Sequence, residues 1–326
     1  QTWIRRRRIH DAFHRGLDGR GPDDGGDVHA GAPLHARRLF PHHLNPTSRF
    51  YCGLAAAVFL GLVLRVYQLP QHGFSHYDEA HYMMEAKFWR EVIEKRSDLL
   101  AALRAGRLNA SYVESHIDGI PPSFTPKPMH GLAIALFSLV TGIRDEWVGS
   151  LWAALMGTAA IACVGIWTAR HFGLLAGFLS AIILAVSRSH VMYSRSQLAE
   201  SDAMLFLFCA LALHMSWCLN RTPARIGMKS IGLGVLYGLA VATNYRCLLL
   251  VPLTGIWDCL STANYFRRRP VESVRRLSGI LIGLAFVLCL FELPYRIYFL
   301  KGGSLPPGML TYLQGLFAWY VRGQNM

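Results

Sequence analysis

What most constrains this chain is a succession of nearly uncharged apolar blocks: Tyr51 to Gln68, Trp147 to Thr168, Phe172 to Ser187, Ala203 to Leu219, Ser230 to Asn244, Cys247 to Leu260 and Leu277 to Phe291. Each approaches the ~20 residues that a helix needs to cross ~30 Å of hydrocarbon. A globular core accounts for one such block, whereas a series of them requires lipid as the solvent. Composition agrees, because only 16% of residues are charged and 52% are hydrophobic, where an ordinary soluble domain carries about 25% charged residues. The expected fold is all-α, a polytopic transmembrane helix bundle.

Charge sets the expected topology. The formal net charge of +13 sits between the apolar blocks and builds no aromatic-and-basic module, which argues against nucleic acid as a partner. Short loops rich in Lys and Arg stay in the cytoplasm. The strongest are Asn220 to Lys229 (Arg221, Arg225, Lys229) and Tyr265 to Arg276 (Arg267, Arg268, Arg269, Arg275, Arg276). A further apolar stretch, Met129 to Thr141, is too short for a comfortable span. Read as interfacial, it leaves both basic loops, the Arg170 turn and the Arg-rich start of the chain inside; read as a span, it forces the two most basic loops outside. The interfacial reading gives a basic, disordered cytoplasmic tail over residues 1–48 and a transmembrane domain of about seven spans over 49–326. Its outer face carries a large loop, 69–146, a second loop from Arg188 to Ser201, a turn at Tyr245 and Arg246, and a segment after Pro294. The chain opens at Gln1 and closes at Met326 just after an aromatic segment, so truncation at the C-terminus is expected. The seven cysteines lie in or beside apolar blocks without CxxC spacing and read as small buried hydrophobes.

The chemistry-bearing residues fall on the outer loops. Asp78 and Glu79 follow the first span, and Ala80, Met83, Met84, Phe88 and Val92 behind them make an amphipathic helix suited to lie on the membrane. Glu200 and Asp202 stand where the second outer loop enters the next helix. For Asp78, and for Ser201 or Asp202, helix capping is the competing reading. Lys127 arrives after a proline-rich approach and can hold a phosphate at headgroup depth, with an ordinary snorkelling lysine as the alternative. Arg188, Arg195 and Arg246 are further cations near that face, each also able to contact lipid headgroups. His76, His81, His116, His130 and His190 are placed there too; with the acids they allow a divalent cation, although their spacing fits no zinc pattern. Asn109-Ala-Ser111 is a glycosylation sequon on the same side.

Three segments, Tyr77-Asp-Glu-Ala-His-Tyr82, Lys127-Pro-Met-His-Gly131 and Tyr193-Ser-Arg-Ser-Gln-Leu-Ala-Glu-Ser-Asp202, together resemble the GT-C glycosyltransferases. The likeness is to the branch containing protein O-mannosyltransferases and aminoarabinose transferases, and it covers roughly residues 50 to 300. It implies inverting transfer of a sugar, mannose or another hexose or pentose, from a polyprenyl-phosphate carrier. The acceptor would be a protein, lipid or glycan outside a bacterial or archaeal plasma membrane. By that resemblance Asp78 is the catalytic base or acceptor-orienting carboxylate, Glu79 supports it, and Asp202 with Glu200 supplies the second acidic position. Lys127 holds the carrier phosphate with Arg195 and Arg246 as assistants, and His81, Tyr82 and His130 are further site candidates within the motifs. A departing phosphate makes a strong general acid unnecessary; no cofactor is assigned, and assistance by a divalent cation is left open. One departure is Met129-His130 where relatives often carry proline before an apolar residue. The rival readings are a transporter or lipid flippase and a non-catalytic accessory of glycan assembly. A transporter would place ionisable groups at mid-membrane, whereas Arg65, Asn244, Asp258 and Glu292 lie near span ends, where snorkelling suffices.

Overall fold

A computed structural model describes residues 45–71, 73–74, 77–120, 127–220, 226–253, 255–256 and 270–300. His76, Asp258, the proline-rich 121–126 and residues 221–225 and 265–269 of the two basic loops lie outside them, as do residues 1–44 of the expected tail and the side chain of Glu292. The described residues are helical, with no strand among them. In chain order the helices are α1 (Pro46–Val66), α2 (Tyr77–Glu94), α3 (Arg96–Arg104), α4 (Ala110–His116), α5 (Pro128–Thr141) and α6 (Val148–Phe172). They continue as α7 (Leu174–Val186), α8 (Arg188–Tyr193), α9 (Glu200–Asn220), α10 (Ile226–Thr243) and α11 (Pro270–Leu300). Helix α1 begins ahead of the expected boundary at 48, because Asn45 accepts the Thr47 N–H at 3.2 Å and Pro46 opens the first turn. Helix α11 likewise runs past Phe291 to Leu300.

Three described helices are long and apolar enough to cross a membrane, Pro46–Gln71, Val148–Phe172 and Pro270–Phe291. The packing is inverted relative to a water-soluble core. Ala57, Ala153, Ala154, Ala160, Ala181 and Ala185 are buried where α1, α6 and α7 meet, while Phe59, Leu175, Ile183, Leu281 and Phe286 stand exposed. Lipid is as apolar as leucine, so large side chains gain nothing by turning inward, and small ones let helices approach closely. Close approach is tightest between α10 and α11, where a Cβ added at Gly234 would meet the Ile280 carbonyl oxygen and one at Gly238 would press on Val287. Residue numbers rise together along this contact, so α10 and α11 run parallel.

Two helices of the expected outer loop pack against each other. In α5, Ile134 and Ala135 are fully buried, packed with Ala86 of α2 and Val148 of α6. On α2 the buried side is made by Glu79, Tyr82, Glu85, Ala86 and Phe88, whereas Ala80 and Met84 are exposed. Contact with α5 and α4 covers this side of α2; Phe88 closes a small cluster with Val113 and Ile117. Cys52 and Cys289 are also exposed rather than buried.

Candidate active site

The site is built where the first turns of α5 and α9 face each other. Lys127 precedes Pro128, the first residue of α5, and its carbonyl accepts the His130 N–H at 3.1 Å. Its Nζ donates to Glu200 Oε1 at 3.3 Å and lies 4.8 Å from the centre of the Tyr82 ring. One turn deeper, His130 is fully buried: Nδ1 donates to Asp202 Oδ2 and Nε2 to the Gln197 carbonyl, both at 2.8 Å. Both ring nitrogens thus have an oxygen within hydrogen-bond distance. Trp152 of α6 donates its indole N–H to the same Asp202 Oδ2 at 2.8 Å. Asp202 Oδ1 accepts no hydrogen bond. Lys127 is therefore no snorkelling lysine, and Asp202, whose carboxylate is turned to His130 and Trp152, is no helix cap.

Helix α2 brings the other acids to this end. Asp78 and Glu79 lie in its first turn; Asp78 is exposed and Glu79 is buried. Tyr82, one turn beyond Asp78 on the same side of the helix, is buried, and its ring stands edge-on to His130 with centroids 5.3 Å apart. His81 neighbours Tyr82, and burial lowers its pKa against the opposing pull of Asp78.

Behind the site, Arg65 is fully buried and does not snorkel. Its guanidinium donates to the carbonyls of Gly61 at 2.7 Å and Ala185 at 3.2 Å and to His190 Nδ1. Arg195 donates to the Leu64 carbonyl at 3.0 Å and so closes the end of α1. Gln197 Nε2 donates to the Glu146 carbonyl at 2.8 Å, tying the entry of α9 to that of α6. Arg188 and Arg246 are exposed. Nothing in the sequence nominated Trp152 or Gln197; the available signal was that a buried indole N–H needs an acceptor.

Burial, and then the Arg65 charge, lowers the His190 pKa to about 4. An unfolded histidine titrates near ~6.5, so between these values the unfolded chain binds the extra proton and stability falls as pH falls. The stabilisation by neutral His190 is complete above about 6.5. We expect thermal midpoints of the purified protein to drop from pH 6.5 to pH 4, and His190→Asn, which keeps an acceptor for Arg65, to flatten that limb. Parallel profiles for the two proteins would refute it.

Among the described residues no group of three His, Cys, Asp or Glu side chains is placed to hold a metal ion. An apolar cavity of about 740 Å³ lies between α6, α7, α9 and the chain after Leu249, lined by Cys163, Trp167, Leu184, Leu207, Phe208 and Leu253.

A helical bundle with lipid-facing surfaces and a cation-and-carboxylate cluster gathered at one end fits a membrane enzyme that handles a charged headgroup. The family model described as dolichyl-phosphate-mannose-protein mannosyltransferase matches residues 123–293, slightly over half of the chain. The chain belongs to that family, and it is a membrane glycosyltransferase of GT-C type that uses a lipid-linked sugar. The match includes Lys127, His130, Trp152, Glu200 and Asp202 and begins after the Asp78–Glu79 pair. Comparison with curated proteins and with solved structures finds no match.

Proposed function

We propose that the protein transfers mannose, or a closely related hexose or pentose, from a polyprenyl monophosphate to an acceptor hydroxyl on the non-cytoplasmic side of the membrane. The observation that carries this reading is the placement of Lys127. An ammonium that is largely buried, carried by the residue at the N-terminal end of a helix, is suited to a phosphate. Lys127 exchanges Glu200 for the carrier phosphate and stabilises the charge that grows on it as the bond to the sugar breaks. Asp78, exposed at the start of α2, takes the proton of the acceptor hydroxyl as its oxygen bonds to the anomeric carbon. Polyprenyl phosphate leaves, and the single displacement inverts the anomeric centre. The apolar cavity between α6, α7 and α9 is suited to an isoprenoid chain.

The test is binding and turnover of radiolabelled polyprenyl-phosphate mannose by the purified protein and by Lys127→Met in the same detergent. We expect wild-type transfer with inversion, and carrier affinity lowered ~10- to 100-fold in the variant, as for loss of one buried charged hydrogen bond of about 1.5–3 kcal/mol. Equal carrier affinity in the two proteins would remove Lys127 from the phosphate site. Absence of binding and transfer across dolichyl and undecaprenyl donors would overturn the function.

A further inference from the structure

Two acid–base pairs join the first turns of α5 and α9, and they differ in kind. The deep pair, His130–Asp202, is 2.8 Å long with both side chains essentially inaccessible. The shallow pair, Lys127–Glu200, is 3.3 Å long with side chains 10% and 24% exposed. Glu200 and Asp202 share the rigid first turn of α9, and Lys127 stands one turn before His130 at the start of α5, so fixing the deep pair limits where the shallow one meets. The deep pair is held from every side. Trp152 donates to Asp202, the Gln197 carbonyl accepts from His130, and Tyr82 stands edge-on to the imidazole. Gly131, the next residue of α5, lies so close to α2 that an added Cβ would come within 2.9 Å of Glu85 Oε2.

We infer that the buried His130–Asp202–Trp152 network is a positioning device: it clamps the start of α5 to the start of α9, setting Lys127 for the carrier phosphate while Glu200 serves as its exchangeable counter-ion. The inference rests on the phosphate-binding reading of Lys127 given above. It gives Asp202 a different task from the catalytic one its position in the motif suggests, because a carboxylate with both donors on Oδ2 and no accessible surface is not offered to a substrate. Trp152 acts through the same carboxylate. Among the described residues Oδ1 has no partner and the indole is one of two groups bonded to this buried carboxyl, so its removal is felt at the helix start.

The test is a double-mutant cycle on equilibrium binding of radiolabelled, sugar-free polyprenyl phosphate, with turnover measured alongside. Trp152→Phe removes the N–H and keeps a ring to pack on Phe137. We expect it to weaken carrier binding roughly five- to twentyfold, to leave kcat at saturating donor within about threefold, and to add nothing once Lys127 is already Met. His130→Gln, which retains an amide donor, should fall nearer wild type than His130→Ala. Should Trp152→Phe not fold, His130→Ala carries the same cycle, since it removes the link from α5 to Asp202 and leaves the indole its acceptor. Multiplicative losses in the cycle, or a lower kcat with unchanged carrier affinity, would overturn the inference. If Lys127→Met itself binds carrier like wild type, the phosphate reading fails instead; if Lys127→Met loses carrier and Trp152→Phe does not, the positioning role alone fails.

Discussion

Replacing Asp78 by asparagine is expected to lower transfer ~10²- to 10⁴-fold, the range over which a positioned proton acceptor contributes, while the protein remains folded and inserted. Two adjacent acids open α2, and the helix separates their fates. Glu79 turns into the protein and is 1% exposed, whereas Asp78 remains at the surface, one turn before the Tyr82 ring that underlies Lys127. An acceptor hydroxyl can reach only the exposed carboxylate, and the nearby ammonium is where leaving phosphate charge would be met. Substituting an exposed side chain costs stability only within about 0.5 kcal/mol, so lost turnover with an unchanged thermal midpoint would assign the effect to chemistry. Glu79→Gln should show the opposite balance, a lower midpoint at least as evident as any loss of rate. Steady-state transfer at saturating donor, compared with the midpoint of each protein, separates the two; normal turnover in Asp78→Asn would remove its catalytic role.

The all-helical bundle was legible because lipid imposes a long uninterrupted apolar run, and such runs survive as contiguous sequence. Elements without that length were harder. Helix α5 has 14 residues, and length alone cannot tell a helix at an interface from one wedged between α2 and α6. The side of α2 that packs against protein was not legible, because two of its members are glutamates, Glu79 and Glu85, which break the apolar periodicity that normally marks a buried side. Polar groups inside the bundle were missed for the same reason. His214 and Tyr237, both buried, lie 3.0 Å apart between α9 and α10 in stretches that otherwise read as uniformly apolar. At the site, Lys127, His130, Glu200 and Asp202 were visible as residue types on loops, but their pairing spans about seventy positions of chain and is created by helix packing. Trp152, fifty positions from Asp202, had no local signal beyond its own N–H.

Arg65→Met is expected to destabilise the protein by about 3 kcal/mol or more, a larger cost than a methionine of similar length would suggest. A buried cation is expensive, and replacing one by an apolar side chain can be neutral or favourable when its partners leave with it. Here the partners stay. The Ala185 carbonyl belongs to the last turn of α7, where carbonyls have no partner within the helix and the dipole is negative, and the Gly61 carbonyl and His190 Nδ1 also remain in place. The Gly61 carbonyl keeps its bond within α1, but at a site where Arg65 is 0% exposed the Ala185 carbonyl and His190 Nδ1 bear their desolvation cost unrelieved. Loss of the partners therefore outweighs relief of the buried charge. Because His190 lies in α8, just ahead of the segment that carries Gln197 and leads into Glu200 and Asp202 of α9, loosening Arg65 should also reduce carrier binding, although Arg65 lies behind the site. Lysine at this position keeps the charge but not the fork of donors that reaches several acceptors at once, and should fall between wild type and methionine. Thermal midpoints and the yield of folded protein in membranes would measure the series; an Arg65→Met protein as stable as wild type would mean that desolvation relief, not loss of acceptor pairing, decides the balance at this helix end.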